Sequence, residues 1–249
     1  MNLNRHTAQP DPGITLTVCD VIPATPRARL VRLCGHTFAY RSGQAALVGC
    51  VGSPLRRFYS IACAPEDAAM NGCIELLVGV DGSGSAGPHL PLEIGELVQL
   101  HQPGGSFVCP CPEAAAPFIF VAGGTGIAPL RAILRHSVHT HGGQFVLIYS
   151  ARSPEEFAFQ SEFERAGQLK MIQTITRTGG DQWGGARGRL RSADFAAFAS
   201  DCRATWFVCG PVSFVISVVD MLGDLGVPLA RLRFEHSIQL QRGSRSLAP

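Results

Sequence analysis

Two segments of this 249-residue chain bring residue types that could do chemistry to close spacing. In Arg56-Arg57-Phe58-Tyr59-Ser60-Ile61-Ala62 a cation, a ring and a hydroxyl share one strand-like run. Alternation along a strand puts Arg57 and Tyr59 on one face and Phe58 and Ser60 on the other, so periodicity alone does not bring all three groups to one ligand. An edge strand with solvated arginines and a half-buried tyrosine would carry the same residues. Further on, Phe118-Ile119-Phe120-Val121-Ala122-Gly123-Gly124-Thr125-Gly126-Ile127-Ala128-Pro129-Leu130 reads as a buried strand passing through a glycine turn into a helix. Such a turn lets backbone amides approach phosphate oxygens, and the helix start adds a favourable dipole. Pro129 suits a first helical turn, where its missing amide hydrogen costs nothing. A tight strand-to-helix turn packed for its own sake would look the same.

The elements that must position these residues fall into two kinds. Short β-type runs separated by Gly, Pro and Asp occupy Ile14 to Cys19, Ala28 to Leu33, Gln44 to Val51, Phe58 to Ala62, Cys73 to Val80 and Leu97 to His101, which predicts an antiparallel barrel or sandwich. After Pro110-Cys111-Pro112 the period changes. Apolar runs at Pro117 to Ala122, Gln144 to Tyr149, Met171 to Ile175, Thr205 to Cys209 and Leu232 to Phe234 alternate with helical stretches at Ile127 to His139, Glu155 to Ala166 and Pro211 to Leu225. That alternation implies βαβ units on a parallel sheet. The expected organisation is a loose arm over 1–12, a β-domain over 13–110 and an α/β domain over 111–249.

Hydrophobic residues at 46% against 16% charged exclude disorder, coiled coil and collagen. A net charge of +2 with scattered arginines is too weak a field for nucleic-acid binding as a main function. The greasiest stretch, Pro117 to Leu134, is interrupted by glycines and Pro129, so no membrane span is expected. The start lacks the apolar core of a secretory signal, which makes the cytoplasm the expected compartment. Nine cysteines at irregular spacing with no C-x-x-C pair suit reduced thiols better than a disulfide framework. A metal site built from His136, His139 and His141 or from Cys109 and Cys111 is a rival reading. The histidines suit the last turn of a solvated helix better, and no metal is expected.

In this order the segments resemble the ferredoxin-reductase family of flavoenzymes, whose flavin domain carries R-x-Y-S and whose nicotinamide domain carries G-G-T-G-I-x-P. The resemblance implies a Greek-key antiparallel flavin barrel followed by a parallel-sheet dinucleotide domain. It places Arg57 on the flavin phosphate, Tyr59 against the isoalloxazine with Phe58 beside it, and Ser60 near the hydride-accepting nitrogen. Gly82-Ser83-Gly84-Ser85 resembles the second phosphate-binding loop, although Gly87-Pro88 stands where a helix-forming pair is usual. Pro103-Gly104-Gly105-Ser106-Phe107 is similar to the P-x-G-x-F segment that closes the barrel. For the dinucleotide, the resemblance implies Gly123, Gly124, Thr125 and Gly126 at its phosphates and Arg152 and Ser153 at its adenosine end. Cys209-Gly210-Pro211 would lie beside the nicotinamide, with Phe214 where methionine is usual. Phe234-Glu235 matches the late F-E of the phthalate-dioxygenase-reductase branch. Ser60, Cys209 and Glu235 are the catalytic candidates.

The implied activity is transfer of a hydride from NAD(P)H to bound flavin, followed by one-electron delivery to a separate protein, such as a ferredoxin or an iron–sulfur or heme oxygenase component. FMN is expected over FAD, because Ala64 to Gly72 has no aromatic residue to stack on adenine. NADH is expected over NADPH, with Arg152 and Ser153 set against Glu155 and Glu156. No C-x₄-C-x₂-C run is present for a [2Fe–2S] cluster, which places the next carrier on another chain. A non-catalytic nucleotide-binding subunit and a free-standing flavin reductase are the alternatives.

Overall fold

Residues 13–36, 38–101, 103–109, 116–140, 142–143, 145–177 and 183–236 are described by the computed structural model. The arm at 1–12, the expected boundary at 110/111 and the polar tail at 239–249 lie outside them. In the first half, β1 (Ile14–Thr25), β2 (Ala28–Cys34), β3 (Ala45–Cys50), β4 (Arg57–Ser60), β5 (Cys73–Gly79) and β6 (Leu97–Leu100) form one antiparallel sheet in the order β4-β3-β6-β1-β2-β5. A bridge between Ile61 and Leu76 links the chain just beyond β4 to β5, curling the sheet into a barrel. Its inward side chains, among them Leu16, Val18, Val31, Val48, Ile61, Leu76 and Val98, make one core.

Between β4 and β5 the Ala-rich segment is a helix, α1 (Pro65–Asn71), rather than the short loop expected. Pro65 opens it, the Asp67 carboxylate accepts the Ala64 N–H at 3.2 Å, and Gly72 ends it at φ 66°. Seven residues are too few for a hydrophobic period to stand out, so only the caps could have announced it.

Cys19 and Cys34 are joined in a disulfide across β1 and β2, which corrects the expectation of reduced thiols. Antiparallel pairing brings residues 15 apart in sequence to a Cα separation of 5.9 Å, at the irregularity in β1 between Val18 and Asp20. Nothing in linear spacing announces such a pair.

In the second half, β7 (Phe118–Gly123), α2 (Ile127–Thr140), β8 (Phe145–Ala151), α3 (Gln160–Arg165), β9 (Leu169–Ile175), β10 (Ala186–Arg187), α4 (Ala193–Ala199), β11 (Thr205–Gly210), α5 (Val212–Asp224) and β12 (Leu232–His236) build a parallel sheet in the order β10-β9-β8-β7-β11-β12. β7 and β11 are buried along their whole length, as expected of central parallel strands covered on both faces. The helix expected over Glu155 to Ala166 is split into a 3-10 turn at Pro154–Glu156 and α3, with Phe159 at φ 63° between them. β10 and α4 were not foreseen. Among the described residues no helix is long and apolar enough to cross a membrane.

The halves share a hydrophobic cluster in which Ala28, Ala62 and Leu77 of the barrel side meet Phe107, Phe118, Phe120 and Phe207. Beside it, α2 sends charges into the barrel. Arg131, only 6% exposed, donates to Glu75 at 2.6 Å, to the Ala62 carbonyl at 2.8 Å and to Glu162 of α3 at 2.9 Å. Arg135 donates to Asp67 at 2.8 Å and to Glu162 at 3.0 Å. Burial pushes the Asp67 and Glu75 carboxyls up, but their arginines outweigh it and hold both below the usual carboxylate range. His139 lies exposed in the last turn of α2, as expected, 3.4 Å from Asp67, whereas His136 is half-buried and meets Glu66 at 2.8 Å.

Candidate functional site

β4 is an edge strand held only by β3, through the pairs Val48↔Arg57, Leu47↔Phe58, Ala46↔Tyr59 and Ala45↔Ser60. Its two neighbouring arginines behave differently. Arg56 is spent on the fold, donating to His101 at 2.8 Å, the Ser53 carbonyl at 2.6 Å and Gln99 at 2.7 Å. Arg57 is exposed and makes no hydrogen bond or ion pair among the described residues. Phe58 is 67% exposed, and the half-buried Ser60 hydroxyl has no hydrogen-bond partner among the described residues.

Tyr59 turns inward to a residue the sequence reading missed. Its hydroxyl lies 2.6 Å from Nε2 of His89, and the two rings lie side by side, centroids 5.8 Å apart, with 11° between their planes. Burial pushes the phenol up to about 12 against the opposing pull of Arg57. The imidazole is pushed down to about 4, by burial first and then by Arg57. Nδ1 of His89 is buried with no hydrogen-bond partner among the described residues.

The loop resembling a second phosphate cradle is organised by its own carboxylate. Asp81 Oδ1 accepts from the Ser83 amide at 2.9 Å, the Ser83 hydroxyl at 2.6 Å and the Ser85 amide at 3.0 Å, and the Gly84 amide donates to the Asp81 carbonyl at 3.0 Å. Gly87 sits at φ 101°, and residues 86–96 form turns and irregular backbone with no helix. The Gly87-Pro88 departure thus removes the helix from this loop, because one residue needs a left-handed backbone and the next lacks an amide hydrogen.

In the second half, Gly124, Thr125 and Gly126 form a 3-10 turn that runs straight into α2, with the Ile127 amide donating back to the Gly124 and Thr125 carbonyls, so the amides left without an acceptor from the helix itself are those of the turn. Gly124 adopts φ 55° with open space where a side chain would be. Gly126 has a different constraint: a Cβ there would sit 2.4 Å from the Cys209 carbonyl oxygen. Phe214 packs on the tips of both central strands, since a Cβ at Gly123 or Gly210 would meet its ring at 2.9 and 2.7 Å. The buried Tyr149 hydroxyl donates to the Gly124 carbonyl at 3.0 Å and accepts the Ala158 amide at 3.3 Å, tying the glycine turn to the segment after β8. There Ser153 donates to Glu155 at 2.6 Å, and the Glu156 carboxylate is clamped by Arg27 of the barrel at 2.8 and 2.7 Å. Arg152 is exposed at the end of β8.

Cys209 ends β11 in register with Ala122 on one side and Glu235 on the other, and Pro211 begins α5. Burial, reinforced by Glu235, pushes the Cys209 thiol well above the ordinary thiol range, so it is a neutral packing group rather than a thiolate. Burial raises the Glu235 carboxyl to about 7.

A run of neighbours joins these residues across the two domains. Ser60 pairs with Ala45, Ala45 exchanges hydrogen bonds with Gly104 at 3.1 and 2.9 Å, a Cβ on Gly105 would lie 3.9 Å from Oε1 of Glu235, and Glu235 is in register with Cys209. That run links Ser60 on the barrel to Cys209 on the sheet.

Residues 120–220 match the oxidoreductase NAD-binding domain family. The chain is 29% identical over 244 residues to ferredoxin–NADP reductase B of Sorangium cellulosum, covering 92% of this chain and 98% of that one. A ferredoxin NADP+ reductase from Neisseria gonorrhoeae, solved with bound FAD and NADP, superposes with a TM-score of 0.76 at 16% identity, over 90% of this chain and 98% of that one. Phthalate dioxygenase reductase superposes with a TM-score of 0.70 at 22% identity, over 90% of this chain and 68% of that one. The chain shares the two-domain fold of these reductases. The exposed Arg57 guanidinium and the Ser60 hydroxyl, which has no hydrogen-bond partner among the described residues, fit a phosphorylated ligand, with the half-buried Tyr59 between them already bonded to His89. The Gly82–Ser85 loop fits less well, because Asp81 already occupies its amides.

Proposed function

We propose that this chain is an NAD(P)H-dependent flavoprotein reductase that passes electrons singly to a separate acceptor protein, serving as the reductase component of a multi-component oxygenase. Bound flavin would supply the exchange between a two-electron hydride donor and one-electron acceptors. Arg57 would hold its phosphate through charge-assisted hydrogen bonds. The Ser60 hydroxyl would orient the reacting edge, and the Gly82–Ser85 loop would contribute the Ser85 hydroxyl rather than its amides. The 3-10 turn at Gly124–Gly126 and the start of α2 would take the dinucleotide phosphates, with Tyr149 keeping the turn in shape. Cys209, Gly210 and Pro211 would wall the nicotinamide side of the site. Glu235, protonated about half the time near pH 7, can hold a proton there.

The observation that carries this reading is the continuity from Ser60 to Cys209 through Gly104, Gly105 and Glu235. NADH is the proposed donor. Glu156 is neutralised by Arg27, whereas Glu155, lowered by the Ser153 hydroxyl, is an exposed anion that repels a 2′-phosphate and can accept ribose hydroxyls. For the flavin, Ala64–Gly72 is a helix tied to α2 and offers no adenine platform. We nevertheless take FAD over FMN, on likeness to the FAD-bearing Neisseria reductase. Chromatography of the extracted flavin decides that choice. The function itself is tested by adding NADH or NADPH to the flavin-loaded protein without oxygen. Rapid loss of the yellow colour, faster with NADH and reversed by a one-electron acceptor, is expected. Persistent colour would make the chain a nucleotide-holding scaffold.

A further inference from the structure

His89 is 2% exposed, and its carbonyl accepts the Cys50 amide at 3.0 Å. Its Nε2 shares one hydrogen bond with the Tyr59 phenol, its ring lies beside the phenol ring with 11° between their planes, and its charge state responds to Arg57. Nδ1 points toward the chain at the end of the Gly82–Ser85 loop, where a Cβ on Gly87 would lie 3.5 Å from it, and it has no hydrogen-bond partner among the described residues.

One proton too few is available for this pair, and its placement matters. If the phenol donated to Nε2, the imidazole proton would sit on Nδ1 as a buried donor without an acceptor, at a cost of about 1–3 kcal/mol. If Nε2–H donates to the phenol oxygen, only a lone pair is left unanswered on Nδ1, and the phenol proton is free to point out of the barrel. The second arrangement is the cheaper one. The imidazole is neutral at physiological pH, so it has one proton to place. Arg57, two residues from Tyr59 and without a partner among the described residues, stands on the same strand face. A guanidinium and a phenol proton side by side match an anionic oxygen, and a flavin phosphate is the anion that the proposed function brings here.

We propose that His89 is a positioning residue of the flavin-phosphate site, whose Nε2–H, by donating to the phenol oxygen, turns the Tyr59 hydroxyl proton toward the phosphate that Arg57 neutralises. The proposal rests on the flavin reading above and adds to it a residue that never touches the flavin.

The test is equilibrium titration of the flavin-free protein with riboflavin, FMN and FAD, followed by quenching of flavin fluorescence. His89→Phe keeps a ring and removes the donor. Affinity for FMN and FAD should fall about 10-fold, the loss of one hydrogen bond, while affinity for riboflavin, which has no phosphate, stays unchanged. Tyr59→Phe should do the same, and the double variant should lose no more than either single one. His89→Gln, whose amide can donate to the phenol, should keep FMN affinity within about threefold of wild type, and it serves equally if His89→Phe does not fold. Equal losses for riboflavin and FMN, additive losses in the double variant, a Gln variant no better than Phe, or unchanged FMN affinity would each overturn the proposal. If wild-type protein binds none of the three flavins, the flavin reading fails first.

Discussion

Arg131 reaches from the sheet domain into the barrel and Arg57 sits on the barrel's edge strand, and the two have opposite surroundings. Arg131 is buried and meets two carboxylates, a carbonyl and the Phe159 ring, 4.3 Å from its guanidinium carbon. Arg57 is exposed and makes no hydrogen bond or ion pair among the described residues, although its charge is felt by Tyr59 and His89. A buried cation must be fully paired or it unfolds its surroundings, whereas an exposed cation on a rigid edge strand can remain unpaired until a ligand arrives. The same residue type thus serves cohesion in one place and recognition in the other. Arg56 repeats the lesson one residue away from Arg57.

The largest expected effect breaks the cohesive side. Arg131→Ala removes the buried centre of the network, leaving Glu75 to Arg32 and Glu162 to Arg135 and the Ala62 carbonyl without its donor, and should cost about 3–5 kcal/mol of unfolding free energy, read by denaturant melts of the flavin-free protein. Arg57→Ala should leave that melt within about 0.5 kcal/mol of wild type. It should instead weaken flavin binding by about 100-fold, so that colour is lost on gel filtration. Equal stability losses in the two variants would erase the distinction between them.

Ser60→Ala should slow stopped-flow reduction of the bound flavin on the order of 10- to 1,000-fold while changing flavin affinity little. An unchanged rate would remove Ser60 from the mechanism. The smallest effect concerns Glu235. Its carboxyl titrates near 7 in the folded chain against 4.5 for the ordinary group, so folding takes up a proton between those values. The stability this contributes is complete below 4.5 and is lost as pH rises through 7. Glu235→Gln should therefore flatten the decline in melting temperature between pH 5 and 8, and a parallel decline would show that Glu235 is not the group responsible.

The residues that repeat along the chain were the legible part. Strand alternation from Ile14 to His101, the glycine turn at Gly123–Gly126 and the switch to βαβ spacing were all readable, because period and turn chemistry are local properties. The fold class followed from them, whereas the roles of Arg57, Tyr59, Ser60 and Cys209 came only with the resemblance to ferredoxin reductases. Partners distant in sequence were not readable: the Cys19–Cys34 bridge, the pairing of α2 with α1 through Arg135 and Asp67, the occupation of the Gly82–Ser85 amides by Asp81, and the hydrogen bond between His89 and Tyr59. A lone histidine after Gly87-Pro88 carries no period and no spacing rule. Composition and local pattern determine which segments become strands and helices, since those choices are made within a few residues. Which arginine is spent on the fold and which is left for a ligand depends on what the closed barrel and the packed sheet bring beside it, and only the tertiary structure decides that.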